Sequence, residues 1–570
     1  MKNYLSSILS IILFSVFLVS CEGYLDPEVM TDLTVDQATT EYSYSRQRVA
    51  SIYSDVIAGF LNIDGAMLAS ASDESEHTLE TSDIQNFNRG SWNEYVNPDD
   101  VWGTYYRAIR KANQFLAFSD NINLDQYKNN PTQQEAYQTY LEEVNRYKYE
   151  VRFLRAYFYF ELIKRYGGVP LVTGLYSMED TFDNIPRNSL ADCITFIVNE
   201  CDAAAEVLPI RYASGELGRA TSIAALALKS RVLLYSASEL FNNASWAQGY
   251  AKPELISLSG DRNARWQDAA DAAKEAINLA ESNGYYLSTN YRNIFGVNAH
   301  SNSEVFFTRR QPDNSNDFER ANISVGFDLG NSGTTPTQNL VDAYEMTDGS
   351  TFDWNNSEHA ANPYSNRDPR LAMTIVTNYS NYKGRRMESW ESGLDGKPIV
   401  HATKTGYYLR KYVNEELDLV TNQTSAHSWV IFRLAELYLN YAEALNEIEP
   451  GNSDIKKYYD KVRNRNGVNM PGLPLSLNQS QTRERIYNER RVEFAFEDHR
   501  LWDLRRWMMA TTVLASPVKG VKVTRLSPDQ FNYTVIDVEP RTFLPKMFFY
   551  PIPQNEVYID KALIQNPLWN

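Results

Sequence analysis

Segments with apolar residues at helical spacing dominate this chain of 570 residues. Several follow one another after short connections, and alanines such as Ala269, Ala273 and Ala276 recur where a neighbouring helix must approach closely. No strict repeat of about 34 residues is present. The pattern therefore predicts a mostly α-helical body with degenerate helix pairs of the tetratricopeptide kind. The predicted helices are 101–118, 132–166, 190–207, 222–240, 265–283, 428–447 and 481–509.

The composition changes between residues 285 and 425, where glycine, proline, asparagine and serine become dense. Two short runs in this part, 304–308 and 370–376, have the composition of β-strands. We therefore expect a loop-rich region with short β-strands laid on the helical frame, and such loops often carry function on a rigid scaffold. The expected division is 46–284 and 285–570 within one compact body.

The N-terminus has the pattern of an export signal. Lys2 gives a positive start, the apolar run 8–19 is too short to span a bilayer as a helix, and Ser20 directly precedes Cys21. We expect residues 1–20 to be a lipoprotein signal peptide, Cys21 to be the lipidated residue, and 21–45 to be a tether and extended segment. The alternative is an ordinary secretory signal followed by an incidental cysteine.

The charge balance excludes one class of partner. The chain has 55 basic and 72 acidic residues and a formal net charge of −17. Binding to duplex nucleic acid depends on Lys and Arg neutralising phosphates. We therefore expect no nucleic-acid partner.

The sequence lacks the motif spacings of common enzyme classes. It has no HExxH, GxSxG, Walker A or GxGxxG pattern, and its six histidines are scattered with no pair at i, i+4. Among 72 carboxylates some pair will mimic a glycosidase by chance, so a pair alone carries no information. The prediction is a non-catalytic protein with no catalytic residue, no cofactor and no metal.

Two charged segments invite other interpretations. One is an acidic cluster that could hold Ca²⁺ but has no EF-hand order, so we favour a solvated acidic loop. The other, 483–507, looks basic, yet it carries seven arginines against six acids. Its spacing predicts ion pairs at i, i+3 on a structural helix, namely Arg490–Glu493, Glu497–Arg500 and Asp503–Arg506. The acidic cluster comprises Asp73, Glu74, Glu76, Glu80 and Asp83.

An ordered set of segments along the chain resembles the SusD/RagB family of outer-membrane nutrient-uptake lipoproteins. Most of these segments carry apolar stripes and paired arginines, so the resemblance concerns the fold more than the ligand. The set begins at Cys21 with CEGYLD and continues with VWGTYYRAIRKANQFL (101–116), RFLRAYFYFELIKRYGGVPLV (152–172), PTQNLVDAYEMTDG (336–349), IFRLAELYLNYAEALNE (431–447), VRNRNGV (462–468), RIYNERRVEFAFEDHRLWDLRRW (485–507) and FFYPIPQNEVYIDKALIQNPLW (548–569).

The resemblance implies a helical body with tetratricopeptide-like pairs and variable loops. It also implies a lipid-anchored protein on the outer face of the outer membrane. There it would act as a lid over a SusC-like TonB-dependent transporter, capture oligosaccharide or polysaccharide, and deliver it. Some proteins of this kind are associated with peptides or other nutrients.

A sugar site needs exposed aromatic planes with amides, acids or Arg at the rim. Aromatic residues make up 13% of the chain, more phenol rings than a core needs. The loop before residue 101 has the required mixture, although Trp92 could instead cap the helical bundle. The candidates in that loop are Asp73, Arg89, Trp92, Asn93 and Tyr95. A second group lies between 309 and 327, with Arg310, Asp317, Phe318 and Asn322, and Trp354 and Trp390 could complete a platform.

The residues leave four functional interpretations open. The first is capture of a glycan without catalysis, and the second is capture of a peptide or another nutrient by the same fold. The third is a lipid-anchored glycan hydrolase. The fourth is a tetratricopeptide scaffold that assembles envelope proteins and binds no nutrient.

Overall fold

A computed structural model describes residues 40–177, 180–181 and 183–569. The predicted signal peptide and Cys21 lie outside this range. The α-helices are α1 (Tyr42–Ser54), α2 (Ile84–Arg89), α3 (Trp102–Phe118), α4 (Asp125–Lys128), α5 (Gln134–Tyr166), α6 (Leu190–Val207), α7 (Ser222–Ala237), α8 (Arg262–Ser282), α9 (Asp317–Asn322), α10 (Gln338–Ala343), α11 (Ser357–Ala361), α12 (Pro369–Thr374), α13 (Leu434–Ile448), α14 (Ser453–Arg463), α15 (Gln479–Glu493), α16 (Arg500–Arg506), α17 (Ala510–Val513) and α18 (Gln554–Ile559).

Most of the strands are short, and they pair two by two. They are β1 (Ser75–His77), β2 (Val305–Gln311), β3 (Thr334–Pro336), β4 (Ile375–Val376), β5 (Asn381–Tyr382), β6 (Arg385–Arg386), β7 (Tyr408–Leu409), β8 (His427–Arg433), β9 (Val518–Ser527) and β10 (Gln530–Glu539). The antiparallel pairs are β1–β3, β2–β8, β4–β7, β5–β6 and β9–β10.

The long helices form one continuous array. Helix α3 packs on α5, α5 on α6, α6 on α7 and α7 on α8, and the array continues from α8 to α13 and α14. Ala269, Ala273 and Ala276 of α8 are fully buried, as close helix approach requires. The mostly α-helical fold with stacked helix pairs, predicted from the sequence, is confirmed.

The loop-rich region is an insertion into this array. Helix α8 ends at Ser282 and packs directly on α13, which begins at Leu434, so the intervening residues leave the array and return to it. The return runs through β8, whose residues are all buried and which pairs with β2. The expected loops with short strands on a helical frame are therefore present.

Three predicted segments are wrong in detail. Residues 428–433 are strand. A fully buried apolar run is compatible with both the helical and the strand periodicity, and the β-branched Val430 and Ile431 favour a strand. The run 370–376 is mostly helix, since Asp368 caps it and Pro369 occupies the first helical position. Helix α1 begins at Tyr42, inside the segment expected to be extended.

The predicted helix 481–509 is two helices with a break between them. Helix α15 starts earlier than predicted, at a capping box in which Asn478 and Gln481 exchange side-chain hydrogen bonds with each other's backbone. It ends at Glu493, and Phe496 and Asp498 then adopt left-handed backbone conformations, with φ of +63° and +59°. Such residues stop a helix, and the chain resumes as α16 at Arg500.

A buried ion-pair network replaces the predicted i, i+3 pairs. Of those three pairs only Asp503–Arg506 forms, at 2.7 Å. Glu493 is fully buried and instead contacts arginines from three other segments. Their distances to its carboxylate are 2.8 Å for Arg370, 2.7 Å for Arg433 and 2.5 Å for Arg465.

Cys193 and Cys201 of α6 are free and buried. Their thiols are inert packing groups, and burial raises the pKa of Cys193 to about 12. Of the helices in the described part of the chain, none is long and apolar enough to cross a membrane.

Removing one member of the buried network should destabilise the fold strongly. Arg433 is 2% exposed and lies 2.8 Å from Glu304 and 2.7 Å from both Glu493 and Glu497. Arg433→Met removes a cation from all three carboxylates, and the loss of one partner of a buried ion pair typically costs about 3–5 kcal/mol. We expect that loss in urea denaturation. Arg89→Met, at the exposed pair with Glu80, serves as control and should cost at most about 1 kcal/mol. Equal losses would contradict the prediction.

Candidate ligand-binding site

Two exposed tyrosines from opposite ends of the chain meet at the surface. Tyr95 is 64% exposed and Tyr558 is 55% exposed. Their hydroxyl oxygens are 3.0 Å apart and share a hydrogen bond, which raises the pKa of Tyr95. Large aromatic side chains held at the surface in this way offer apolar ring area together with a polar tip.

Local hydrogen bonds fix the loop that carries Tyr95. Asn93 Oδ1 accepts hydrogen bonds from the backbone amides of Tyr95 and Val96 at 2.9 and 3.1 Å. The backbone N–H of Asn93 in turn donates to the Val96 carbonyl at 2.9 Å. An Asn side chain that closes a turn on its own backbone is a standard way to set a tight loop. Asn93 therefore positions the ring of Tyr95.

The C-terminal segment holds the second ring. Pro551 and Pro553 keep the chain out of a helix until α18, and the amide of Gln554 donates to the carbonyl of Glu94 at 2.9 Å. This bond ties the start of α18 to the Tyr95 loop. Tyr558, one turn further along α18, then stands beside Tyr95.

A cavity of about 300 Å³ lies between these two segments. Its polar lining consists mainly of side-chain amides, which can both donate and accept hydrogen bonds. Asn97 is notable, because its Nδ2 is buried and has no partner within the described residues. The lining amides are Asn93, Asn97, Gln554 and Asn555. We refer to Tyr95, Tyr558 and these four amides as the tyrosine platform.

The structure brings only part of the first predicted group to the platform. Asn93 and Tyr95 belong to it, whereas Arg89 is exposed and pairs with Glu80 at 2.8 Å. The expectation that Trp92 offers a ring face to ligand disagrees with the structure. Trp92 is 3% exposed and packs against Phe87, Tyr550 and Trp569, so it caps the helical body.

Most of the acidic cluster is neither a solvated loop nor a ligand rim, and of its five members only Glu80 and Asp83 are exposed. Asp73, Glu74 and Glu76 are buried. Asp73 lies 2.6 Å from Arg491 and 2.8 Å from Arg500, and these charges outweigh burial and hold its pKa below the usual range. Burial raises the pKa of Glu74 to about 8. Asp73 is therefore a structural ion-pair partner.

The acidic side chains in this region do not form a metal-ion site. Glu76 lies 2.8 Å from Lys404, and Glu80 pairs with the same lysine. Across the residues that the structure describes, no group of three or more His, Cys, Asp or Glu side chains is arranged to hold a metal ion.

The second predicted group is mostly interior. Phe318 is 4% exposed and packs edge-on against Phe60, and Asn322 is fully buried. Asn322 accepts a hydrogen bond from the Thr334 amide at 3.0 Å. These two residues are structural, against the expectation. Arg310 and Asp317 are exposed but lie away from the platform lining.

Neither of the two later tryptophans completes the platform. Trp390 is 5% exposed, with the Arg525 guanidinium 4.8 Å from its ring centre. Trp354 is half-buried and donates from its indole N–H to Asp342 at 3.1 Å. Neither lines the cavity beside Tyr95.

A larger cavity, of about 980 Å³, opens among the loops of the insertion. Its aromatic lining offers little stacking surface, because Phe295 and Tyr412 are buried and Phe327 lies under the Arg385 guanidinium at 3.9 Å. Its cations are engaged, as in the pair of Arg292 with Glu415 at 2.6 Å. The chemistry of an exposed ring beside side-chain amides, one of which has an unpartnered Nδ2, therefore favours the tyrosine platform.

Sequence reasoning missed Tyr558, Gln554 and Asn555. They lie in the segment FFYPIPQNEVYIDKALIQNPLW, which was assigned to structure alone. The signal available in the sequence is the tyrosine Tyr558, which follows two prolines and the two amides Gln554 and Asn555. Its meeting with Tyr95 depends on a contact between residues 463 positions apart, which one sequence does not contain.

Comparison with known proteins places this geometry in context. A family model described as the SusD family matches residues 276–569, and one described as starch-binding associating with outer membrane matches residues 24–234. The chain is 23% identical to SusD-like protein P25 of Formosa agariphila, over 98% of this chain and 97% of the relative. It is 24% identical to a SusD-like protein of Bacteroides ovatus, over 74% and 73%.

Solved structures give the same result. A SusD-like protein from Bacteroides fragilis superposes with a TM-score of 0.76 and 28% identity, over 93% of this chain and 98% of that chain. A SusD-like carbohydrate binding protein from the same species has a TM-score of 0.75 and 25% identity, over 92% and 99%. A laminarin binding SusD-like protein has a TM-score of 0.63 at 20% identity, over 93% and 100%, and this last likeness concerns the fold alone.

The burial difference between Trp92 and Tyr95 predicts a large loss of stability on truncation of Trp92 and almost none on truncation of Tyr95. Trp92→Ala removes a ring from the core, and we expect a loss of about 3–5 kcal/mol in the free energy of unfolding. Tyr95→Ala truncates an exposed side chain and should stay within about 0.5 kcal/mol of wild type. Chemical denaturation of both variants measures this. A stable Trp92→Ala protein would show that the ring does not support the core.

Proposed function

The chain belongs to the SusD family, and on this premise we propose that it captures a glycan at the cell surface through the tyrosine platform without cleaving it. The observation that carries the proposal is the pair Tyr95 and Tyr558 beside four side-chain amides. A sugar ring has apolar C–H faces and many hydroxyls. Ring stacking with amide hydrogen bonding matches both properties.

The names of the relatives support a carbohydrate ligand. One solved relative is called a SusD-like carbohydrate binding protein, and one matching family model is described as starch-binding associating with outer membrane. The platform adds a location for such a ligand on this chain. Because the site is shallow and buries little surface, we expect weak binding of short sugars and stronger binding of polymers that make repeated contacts.

The identity of the ligand class is tested by affinity electrophoresis of the purified protein against soluble neutral and acidic polysaccharides, with calorimetry on any that retard it. Retardation by a polysaccharide supports glycan capture. Retardation by none, together with calorimetric binding of peptides, would replace the glycan by a peptide ligand. Release of reducing sugar from a bound polymer would contradict the non-catalytic proposal.

Truncating either platform tyrosine should weaken polymer binding. One aromatic contact contributes about 0.5–1.5 kcal/mol, so Tyr95→Ala and Tyr558→Ala should each weaken binding by roughly three- to tenfold. Calorimetry against the retarding polysaccharide measures this. Tyr286→Ala is the matched control, because Tyr286 is 60% exposed and lies away from the platform. Unchanged affinity in both platform variants would move the site elsewhere.

We also propose that lipid on Cys21 holds the protein on the outer membrane beside a SusC-like TonB-dependent transporter. Cys21 lies outside the described residues, so this proposal depends on the sequence pattern and on the outer-membrane association named in the family description. Two or more acyl chains anchor a protein stably, whereas one chain does not.

Anchoring and partnership are tested together in the native membrane. Cys21→Ala should move the protein from the outer-membrane fraction to the soluble fraction, because it removes the acylation site. Wild-type protein solubilised in mild detergent should co-purify with a TonB-dependent barrel. Cys21→Ser has the same defect if acylation is the cause. An unaltered membrane fraction in both variants would exclude the lipid anchor.

A further inference from the structure

A second cavity, of about 290 Å³, lies on the other side of the segment that borders the tyrosine platform. Asp100 lines both cavities. The second cavity opens at the surface beside the exposed residues Asn62 and Asp100 and extends inward to Asp498 and Trp429. Its volume is near the lower end of ligand pockets, which start at about 300 Å³, so it suits a small ligand.

Most charges of its wall are engaged in ion pairs. Lys164 lies 2.7 Å from Glu161, and Arg165 lies 2.6 Å from Glu161 and 2.8 Å from Asp99. Arg231 pairs with Glu436 at 2.6 Å. Ion pairs therefore neutralise these charges of the wall.

Asp498 is different. Its Oδ1 is buried without any hydrogen-bond partner in the part of the chain that the structure describes, and its carboxylate joins none of the ion pairs there. A buried acceptor left without a donor costs free energy, so an unsatisfied carboxylate beside a cavity calls for an explanation. Burial raises the pKa of Asp498 to about 7, with Lys164 opposing the shift.

The backbone packs closely around the Asp498 carboxylate. Asp498 itself is left-handed, with φ of +59°. A Cβ at Gly59 would lie 2.5 Å from Asp498 Oδ2 and 2.3 Å from the Trp429 ring. Any larger residue at Gly59 would therefore clash with the acid and the indole, so glycine at this position lets both lie side by side in the cavity wall. The arrangement joins an unsatisfied acceptor to an aromatic wall.

We propose that the Asp498 cavity binds a single neutral or amino sugar residue, whose hydroxyl or ammonium groups donate to the Asp498 carboxylate beside Trp429. Acidic sugars are disfavoured, because an unpaired carboxylate repels a second anion. The proposal deepens the proposed function and rests on it in one respect. A polymer on the tyrosine platform would place a terminal or branching residue in the cavity across the 97–100 segment.

The test uses the purified protein and a panel of free sugars: glucose, galactose, mannose, xylose, glucosamine and glucuronic acid. Saturation-transfer NMR and calorimetry measure binding. At least one neutral or amino sugar should bind, and Asp498→Asn should weaken it tenfold or more. Glucuronic acid should bind at least tenfold more weakly than glucose. Asp313→Asn, at an exposed acid away from the cavity, is the matched control.

Stability separates a binding role from a structural one. Asparagine tolerates the left-handed backbone as aspartate does, so Asp498→Asn removes only the unsatisfied charge. Its melting temperature should equal or exceed that of wild type while sugar affinity falls. A lower melting temperature with unchanged sugar affinity would overturn the proposal. If Asp498→Asn fails to fold, Asp498→Gly replaces it, because glycine adopts the same conformation.

The outcomes also separate this inference from the proposed function. Polymer binding that depends on Tyr95 but not on Asp498 would overturn the proposed sugar site at Asp498 and support the proposed site at the tyrosine platform. Sugar binding that depends on Asp498, with no polymer retarded, would support the cavity and overturn the platform. Binding of no sugar in the panel would overturn the inference.

Discussion

The buried carboxylate of Glu493 joins the parts of the molecule that the fold must hold together. It receives Arg433 from the end of β8, Arg465 from just beyond α14 and Arg370 from α12 in the insertion. The charges of these arginines outweigh burial and keep the pKa of Glu493 below its usual range. Because breaking a buried pair leaves an uncompensated charge, the network favours one arrangement of insertion and helical array over others.

The spacing of apolar residues was sufficient to predict the helical array, but the spacing of charged residues was insufficient to predict the ion-pair network. The boundaries of α6 agree with the apolar pattern, since each of its turns has one buried face. The partners of Arg490 do not follow from helical spacing. Its guanidinium reaches Asp503 at 3.0 Å across the break, because the left-handed Phe496 and Asp498 turn α16 back toward α15. A single sequence shows which charges exist but not which of them a tertiary fold brings together.

The same reason explains the mixed result at the candidate site. The sequence indicates an aromatic-rich loop with amides around Asn93 and Tyr95, and it offers Trp92 beside them as a further candidate. Their burial in the fold decides which of the two rings can face a ligand. Trp92 points into the body toward Trp569, and Tyr95 lies at the loop tip, where the Asn93 turn holds it outward. Exposure, and not residue type, separates a stacking ring from a packing ring.

The segment 97–100 connects the two candidate sites with the scaffold. Asp99 pairs with Arg165 of α5, and Asp100 accepts hydrogen bonds from the Tyr166 hydroxyl at 2.8 Å and from the first amide of α3 at 3.0 Å. A wall fixed at both residues loses little conformational freedom when a ligand binds on either side. Its rigidity also couples the sites by geometry alone. A ligand that spans them must match the fixed width of this wall, so the spacing of sugar residues along a polymer, as well as their chemistry, would select the ligand.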